Sequence, residues 1–123
     1  MESHKRILIV DDDELVRTTV QRALHRAGYD TDLAKDAAEA IGKVKRERYD
    51  LILSDIRMPG KNGVETMGEV RDFYARNGVK DIPIIFITGY AEMGLELIAE
   101  QHGEGIPKPF DLDRLLITIR EYL

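Results

Sequence analysis

Short apolar runs recur along the chain, each followed by a longer segment of helical period, and this alternation constrains the fold more than any other feature. Ile7-Leu8-Ile9-Val10, Leu51-Ile52-Leu53 and the run from Ile82 to Thr88 are apolar at successive positions rather than alternate ones. A strand written that way is buried on both faces, as in a parallel sheet covered by helices on each side. Thr31 to Ala34 and Gly105-Ile106-Pro107 are weaker strand candidates. Between the runs, apolar residues return every three or four positions, the period of a helix with one buried face.

Leu15, Val16, Val20, Ala23, Leu24 and Ala27 form the first stripe, ending at Gly28. Ala37, Ala40, Ile41 and Val44 form the second, behind Asp36 as N-cap. Val64, Met67, Val70, Phe73 and Tyr74 form the third, which Gly78 ends. A weaker helical segment runs from Ala91 to about Gln101 and is interrupted by Gly94, and Asp111 caps a last helix with Leu112, Leu115, Leu116 and Ile119 inward. The expected fold is therefore α/β: a doubly wound, five-stranded parallel sheet in a three-layer α/β/α arrangement. At 123 residues the chain suits one core, and residues 1–123 read as a single domain. Sheets of this kind collect ligands outside the carboxyl ends of their strands, where the strand order reverses.

Bulk properties exclude several functions. A net charge of -5 gives no general attraction to nucleic acid or to anionic membrane. Lys43-Val44-Lys45-Arg46-Glu47-Arg48 is the one basic stretch, and it reads as a solvated helix face. The absence of cysteine rules out disulfide scaffolds and thiolate metal sites. Only four apolar residues precede the first acids, too few for a signal-peptide core or a membrane span, so the expected location is the cytoplasm.

Four polar groups fall at the expected carboxyl ends of strands: Asp11-Asp12-Asp13 after the first, Asp55 after the third, Thr88 after the fourth and Lys108 after the fifth. Each alone is a common cap, turn or surface residue, and their shared placement is what carries weight. Adjacent carboxylates repel, and desolvating them is costly unless a cation offsets the charge. Oxygen ligands of this kind suit a hard divalent cation such as Mg²⁺, with Mn²⁺ as the alternative ion. Beside such an ion an aspartate can attack phosphorus and form an aspartyl phosphate. The Lys108 ammonium and the Thr88 hydroxyl would then hold the phosphoryl oxygens.

Val10-Asp11-Asp12, Leu51 to Gly60 (LILSDIRMPG), Phe86-Ile87-Thr88-Gly89 and Pro107-Lys108-Pro109-Phe110 together resemble a response-regulator receiver domain of two-component signalling. The resemblance covers roughly residues 6–122. It implies the flavodoxin-like strand order 2-1-3-4-5. It further implies Asp55 as phosphoacceptor, Asp12 as a direct Mg²⁺ ligand and Asp11 acting largely through water. The backbone carbonyl of Arg57 would complete the protein share of the metal shell, Thr88 would follow the phosphoryl group and Lys108 would pair with it. A cis Lys108-Pro109 bond is expected, and Asp13 is left to helix capping. The implied phosphoryl donor is a sensor histidine kinase or a histidine phosphotransfer protein. The implied output is a downstream effector domain or protein, with no direct nucleic acid contact and no membrane. Self-phosphorylation and self-dephosphorylation would be its only catalysis.

The chain departs from the family at Gly105, which stands where many receivers carry a switching aromatic, and Tyr90 is the candidate substitute. Partners usually meet receivers on the fourth helix, fifth strand and fifth helix, where Met93, Leu97 and Ile117 fall on the outer side and could serve a partner or a homodimer. His4, His25 and His102 read as solvated or capping, and Gly60 and Gly63 lack the pattern of a nucleotide-binding loop. Two other functions fit part of the pattern. A haloacid-dehalogenase-type phosphohydrolase would use Asp11 as nucleophile and Asp13 two residues on, although Leu15 departs from its motif and Asp55 would stand idle. A pseudo-receiver, a scaffold that is never phosphorylated, would account for Gly105.

Overall fold

A computed structural model describes residues 4–58, 60–88, 104–107 and 111–123. The elements run β1 (Arg6–Val10), α1 (Glu14–Arg26), β2 (Asp30–Ala34), α2 (Ala37–Arg46), β3 (Leu51–Asp55), α3 (Gly63–Arg76), β4 (Ile84–Thr88), β5 (Glu104–Pro107) and α4 (Leu112–Tyr122). The five strands form one sheet in the order β2-β1-β3-β4-β5, and every pairing is parallel. The expected helix over residues 91–101 lies outside the described residues, so α4 is the last helix of the sequence reading. Among the described residues, no helix is long and apolar enough to cross a membrane.

Successive residues of a strand point to opposite faces, so a continuously apolar strand serves two cores. Ile7 and Ile9 of β1 pack with Val20, Leu24, Leu115 and Ile119 beneath α1 and α4. Leu8 and Val10 pack with Ala40, Val44, Met67 and Val70 beneath α2 and α3. All four β1 residues are no more than 1% exposed. At ~25 cal/mol per Å² of apolar surface removed from water, burying an aliphatic side chain of this size stabilises by about 1.5 to 3 kcal/mol.

Helix boundaries follow local chemistry. Asp13 caps α1 by accepting from the backbone N–H of Leu15 at 2.9 Å, and Asp36 caps α2 by accepting from Glu39 N–H at 2.9 Å. The turn that closes α1 passes through Gly28 at φ 92°, and Gly78 at φ 65° does the same after α3, a backbone region that other residues enter at a steric cost. An N-cap that the sequence reading did not assign, Asn62, forms a capping box with Glu65 at the start of α3.

Four sequence expectations need correction. Leu15 is 73% exposed rather than inward, because the buried stripe of α1 repeats at Val16, Val20 and Leu24 and Leu15 lies about 100° round the helix from Val16. Ala27 is exposed for another reason: it is the C-cap, already past the last helical turn. The fourth strand begins at Ile84 rather than Ile82, since Pro83 has no N–H to give the ladder; its carbonyl still accepts from Ile52 N–H at 3.1 Å. His25 is not merely solvated, for its Nε2 sits 2.8 Å from Thr31 Oγ1.

Candidate functional site

The register of the sheet decides which strand ends meet. Val10 lies opposite both Ala34 and Ser54, Asp55 lies opposite Ile87 and Thr88 opposite Pro107. The chain winds from β1 outward to β2 on one side and to β3 on the other, so the carboxyl ends of β1 and β3 flank the crevice where the order reverses.

Asp11 follows the last residue of β1 and is 1% exposed. Its place is fixed from three directions. Its backbone N–H donates to Ala34 O at 3.0 Å, its Oδ1 accepts from Asp13 N–H at 2.9 Å, and its carbonyl accepts from the Arg17 guanidinium at 2.7 Å. Asp12, one residue further, is exposed. Asp55 ends β3 and is 5% exposed. The Ser54 hydroxyl donates to its carbonyl at 2.9 Å, and Arg57 N–H donates to its Oδ1 at 3.4 Å.

The three carboxylates of Asp11, Asp12 and Asp55 each present an oxygen, and these oxygens all lie within 4.8 Å of one another. Two unit charges at that spacing repel by about 3 kcal/mol each pair at an effective dielectric of about 20. The donor set is all oxygen, with no nitrogen or sulfur, which is the preference of a hard divalent cation. Oxygens sharing an octahedral Mg²⁺ stand about 3 to 4 Å apart, so a small closure lets these carboxylates share one ion, directly or through a water in its shell. The residues present therefore fit Mg²⁺.

Gly63, the first residue of α3, is the feature that sequence reading missed. Its N–H donates to Ile56 O at 2.7 Å, and a Cβ built there would stand 2.0 Å from the carbonyl oxygen of Asp55. No side chain larger than hydrogen fits between the helix and the peptide that carries the acid. A glycine opening a helix just after a strand end and a turn is the signal that could have found it.

The other expected residues divide. Thr88 is the last residue of β4, at the same end of the sheet as Asp55. Ile117 projects outward on α4 at 56% exposure. Gly105 lies within β5 opposite Phe86. Lys108, the Lys108-Pro109 bond, Tyr90, Met93, Leu97 and His102 lie outside the described residues. Asp13, which the phosphohydrolase reading needs as its second acid, is turned to the helix start and caps α1.

Comparison with known proteins supplies the family. The model for the response regulator receiver domain matches residues 7–120. The chain is 37% identical to the response regulator MprA of Mycobacterium leprae, over 96% of this chain and 50% of that protein. It is 35% identical to the transcriptional regulatory protein ZraR of Klebsiella oxytoca, over 95% of this chain and 26% of that one. It thus spans from about a quarter to half the length of these relatives. Among solved structures, the chemotaxis protein CheY4 of Vibrio cholerae superposes with a TM-score of 0.86 at 30% identity, over 98% of this chain and all of that one. TrrA of Thermotoga maritima, in complex with Mg²⁺ and BeF, superposes with a TM-score of 0.83 at 34% identity, over 97% of this chain and 99% of that one. Neither the phosphohydrolase nor the scaffold alternative gains support from these matches. Fold, strand order and sequence agree, and the chain belongs to the response regulator receiver domains of two-component signalling.

Proposed function

We propose that Asp55 is the phosphoacceptor of this domain and that its phosphorylation switches the domain between two conformations. The observation that carries the reading is the meeting of Asp11, Asp12 and Asp55, from two strand ends, within 4.8 Å. A carboxylate oxygen of Asp55 attacks phosphorus of a phosphohistidine, the P–N bond breaks, and the imidazole leaves with a proton. The donor is a sensor histidine kinase or a histidine phosphotransfer protein in the cytoplasm. Asp12 and Asp55 hold Mg²⁺ directly, Asp11 through water, and the Arg57 carbonyl completes the protein ligands. A divalent ion held there would neutralise charge that builds on the phosphoryl oxygens in the transition state.

Asp11 is buried and fixed from three directions, so it is preorganised to orient the water it shares with the ion. The Thr88 hydroxyl and the Lys108 ammonium take the remaining phosphoryl oxygens, and water later hydrolyses the acyl phosphate at the same site. The phosphoryl group shifts an existing equilibrium by binding one conformation better than the other. The outer surface that includes Met93, Leu97 and Ile117 passes the change to an effector domain or protein, or to a second copy of the chain.

Acetyl phosphate labelling followed by mass spectrometry tests the assignment. The parent gains one phosphoryl group in Mg²⁺ and none in chelator, and Asp55→Asn gains none in either. Label retained by Asp55→Asn, or found on Asp11, would overturn it.

A further inference from the structure

Arg17 stands where helix chemistry argues against a cation. It lies one turn into α1, four residues after the N-cap Asp13, and a long side chain in a helix leans back toward the N-terminus. The guanidinium is thereby carried to the positive end of the helix dipole, a place that favours acids. A pairing with Asp13 or Glu14, four and three residues before it, would account for the cation. That pairing is not made. Among the described residues Arg17 enters no ion pair, and Asp13 Oδ1 accepts from the N–H groups of Leu15 and Val16 instead. The Arg17 guanidinium donates to a neutral oxygen, the carbonyl of Asp11, at 2.7 Å.

That carbonyl belongs to the peptide joining Asp11 to Asp12, so the bond fixes the plane from which the Asp12 side chain departs. The two acids differ in what holds them. The side chain of Asp11 is buried and accepts from Asp13 N–H at 2.9 Å. Asp12 is exposed, and among the described residues its carboxylate accepts no hydrogen bond. With no donor to orient the Asp12 carboxylate, its aim toward Asp55 rests on the backbone. Arg17 is half-buried, which confines the guanidinium, and a hydrogen bond from a charged donor is stronger than one from a neutral donor. The charge itself works the other way, since a cation beside the crevice disfavours a second one. The sign of a substitution therefore tells which role Arg17 plays.

We propose that Arg17 is a positioning residue for Mg²⁺: through the Asp11 carbonyl it holds the Asp11-Asp12 peptide so that the Asp12 carboxylate stands ready for the ion. Its tethering outweighs its repulsion. The inference rests on the reading that Asp12 and Asp55 ligate Mg²⁺ directly.

Magnesium chloride titrated into the ¹⁵N-labelled chain, with no phosphoryl donor present and read by amide chemical shifts, tests it. Before metal is added, Arg17→Ala moves the Asp12 amide resonance, because that N–H belongs to the peptide that loses the bond. The Mg²⁺ dissociation constant then rises about five- to ten-fold, as for loss of a charge-assisted hydrogen bond. Arg17→Lys, which keeps the charge and a donor on a shorter stem, recovers part of the affinity. Arg22→Ala removes the same charge from an exposed position on the same helix, and leaves the constant within about two-fold of the parent because salt screens it. A merely structural contact would lower the melting temperature and leave the Mg²⁺ constant where it was. An Arg17→Ala constant that is unchanged or smaller, an Asp12 resonance that does not move, a loss in Arg17→Lys as large as in Arg17→Ala, or an equal loss in Arg22→Ala would each overturn the proposal and leave the metal reading standing. A parent that shows no saturable shifts with Mg²⁺ would overturn that reading and the proposal with it.

Discussion

The acid crevice and the region around Arg6 treat aspartate in opposite ways. Away from that crevice, Asp32, midway along β2, accepts from the Tyr49 hydroxyl at 2.7 Å and pairs with Arg6, and Asp50, just before β3, accepts from Arg6 N–H. Each acid there meets a donor from the chain. Where the strands finish, Asp11, Asp12 and Asp55 crowd within 4.8 Å of one another, and two of the three are buried. Asp32 and Asp50 are met by donors of the chain, and the carboxylates of the crevice hold a surplus of negative charge that a divalent cation can neutralise. The difference locates function without reference to any motif, because a fold keeps unfavourable charge only where the surrounding structure enforces it.

The largest expected effect comes from removing that enforcement. Gly63→Ala places a methyl 2.0 Å from the Asp55 carbonyl oxygen, so helix and strand must part; the expected loss is at least about 3 kcal/mol in urea unfolding. Gly68, in the middle of the same helix, has nothing within 4 Å of its built Cβ, and Gly68→Ala should stabilise by about 0.5 to 1 kcal/mol. Equal effects at the two glycines would show that the close approach to the acid peptide enforces nothing.

The same chemical change in the two regions should have opposite signs. In chelator, Asp12→Asn relieves repulsion and should raise stability by about 1 kcal/mol, while Asp32→Asn weakens an ion pair and a hydrogen bond and should cost about 1 to 2 kcal/mol. Mg²⁺ at ten times its dissociation constant should stabilise the parent by about 1.4 kcal/mol, and Asp12→Asn should lose most of that gain. Melting curves with and without Mg²⁺ measure all three. Two destabilising substitutions would break the contrast.

The smallest effect sharpens the region around Arg6. Burial, and then the hydrogen bond to Asp32, raise the Tyr49 pKa well above the ordinary phenol value. The folded state therefore keeps a proton that the unfolded chain releases near pH 10. Stability from this group is fully present below that pH and is lost as pH rises toward the folded value. Unfolding followed from pH 9 to 11 should fall less steeply in Tyr49→Phe than in the parent, by a difference of about 1 kcal/mol across the range.

Much of this was readable before any coordinates. The unbroken apolar runs at Ile7 to Val10 and Leu51 to Leu53 announce strands covered on both faces, and the acids behind them fall at the end of the sheet where ligands gather. Asp13 and Asp36 were identifiable as caps from their position before an apolar stripe. Leu15 was misread because hydrophobicity alone does not fix a residue's angle around the helix, and the neighbouring Val16 already held the inward direction. Gly63 was passed over because its requirement arises from two backbones meeting in space, which no local pattern records. The opposite layering of Leu8 and Ile9 was implicit in strand alternation, yet which helices cover each face depends on the path of the chain.

One consequence of the strand order concerns the border of the sheet. β2 is an edge strand, and its sequence, Asp-Thr-Asp-Leu-Ala, puts two carboxylates into five residues. A foreign strand that tried to zip onto that margin would have to strip water from Asp30 and prise Asp32 away from Arg6 and Tyr49. Proteins guard open margins against amyloid-like growth with charges placed in this way, so the pair that steadies the interior also keeps neighbours from adding themselves to the sheet.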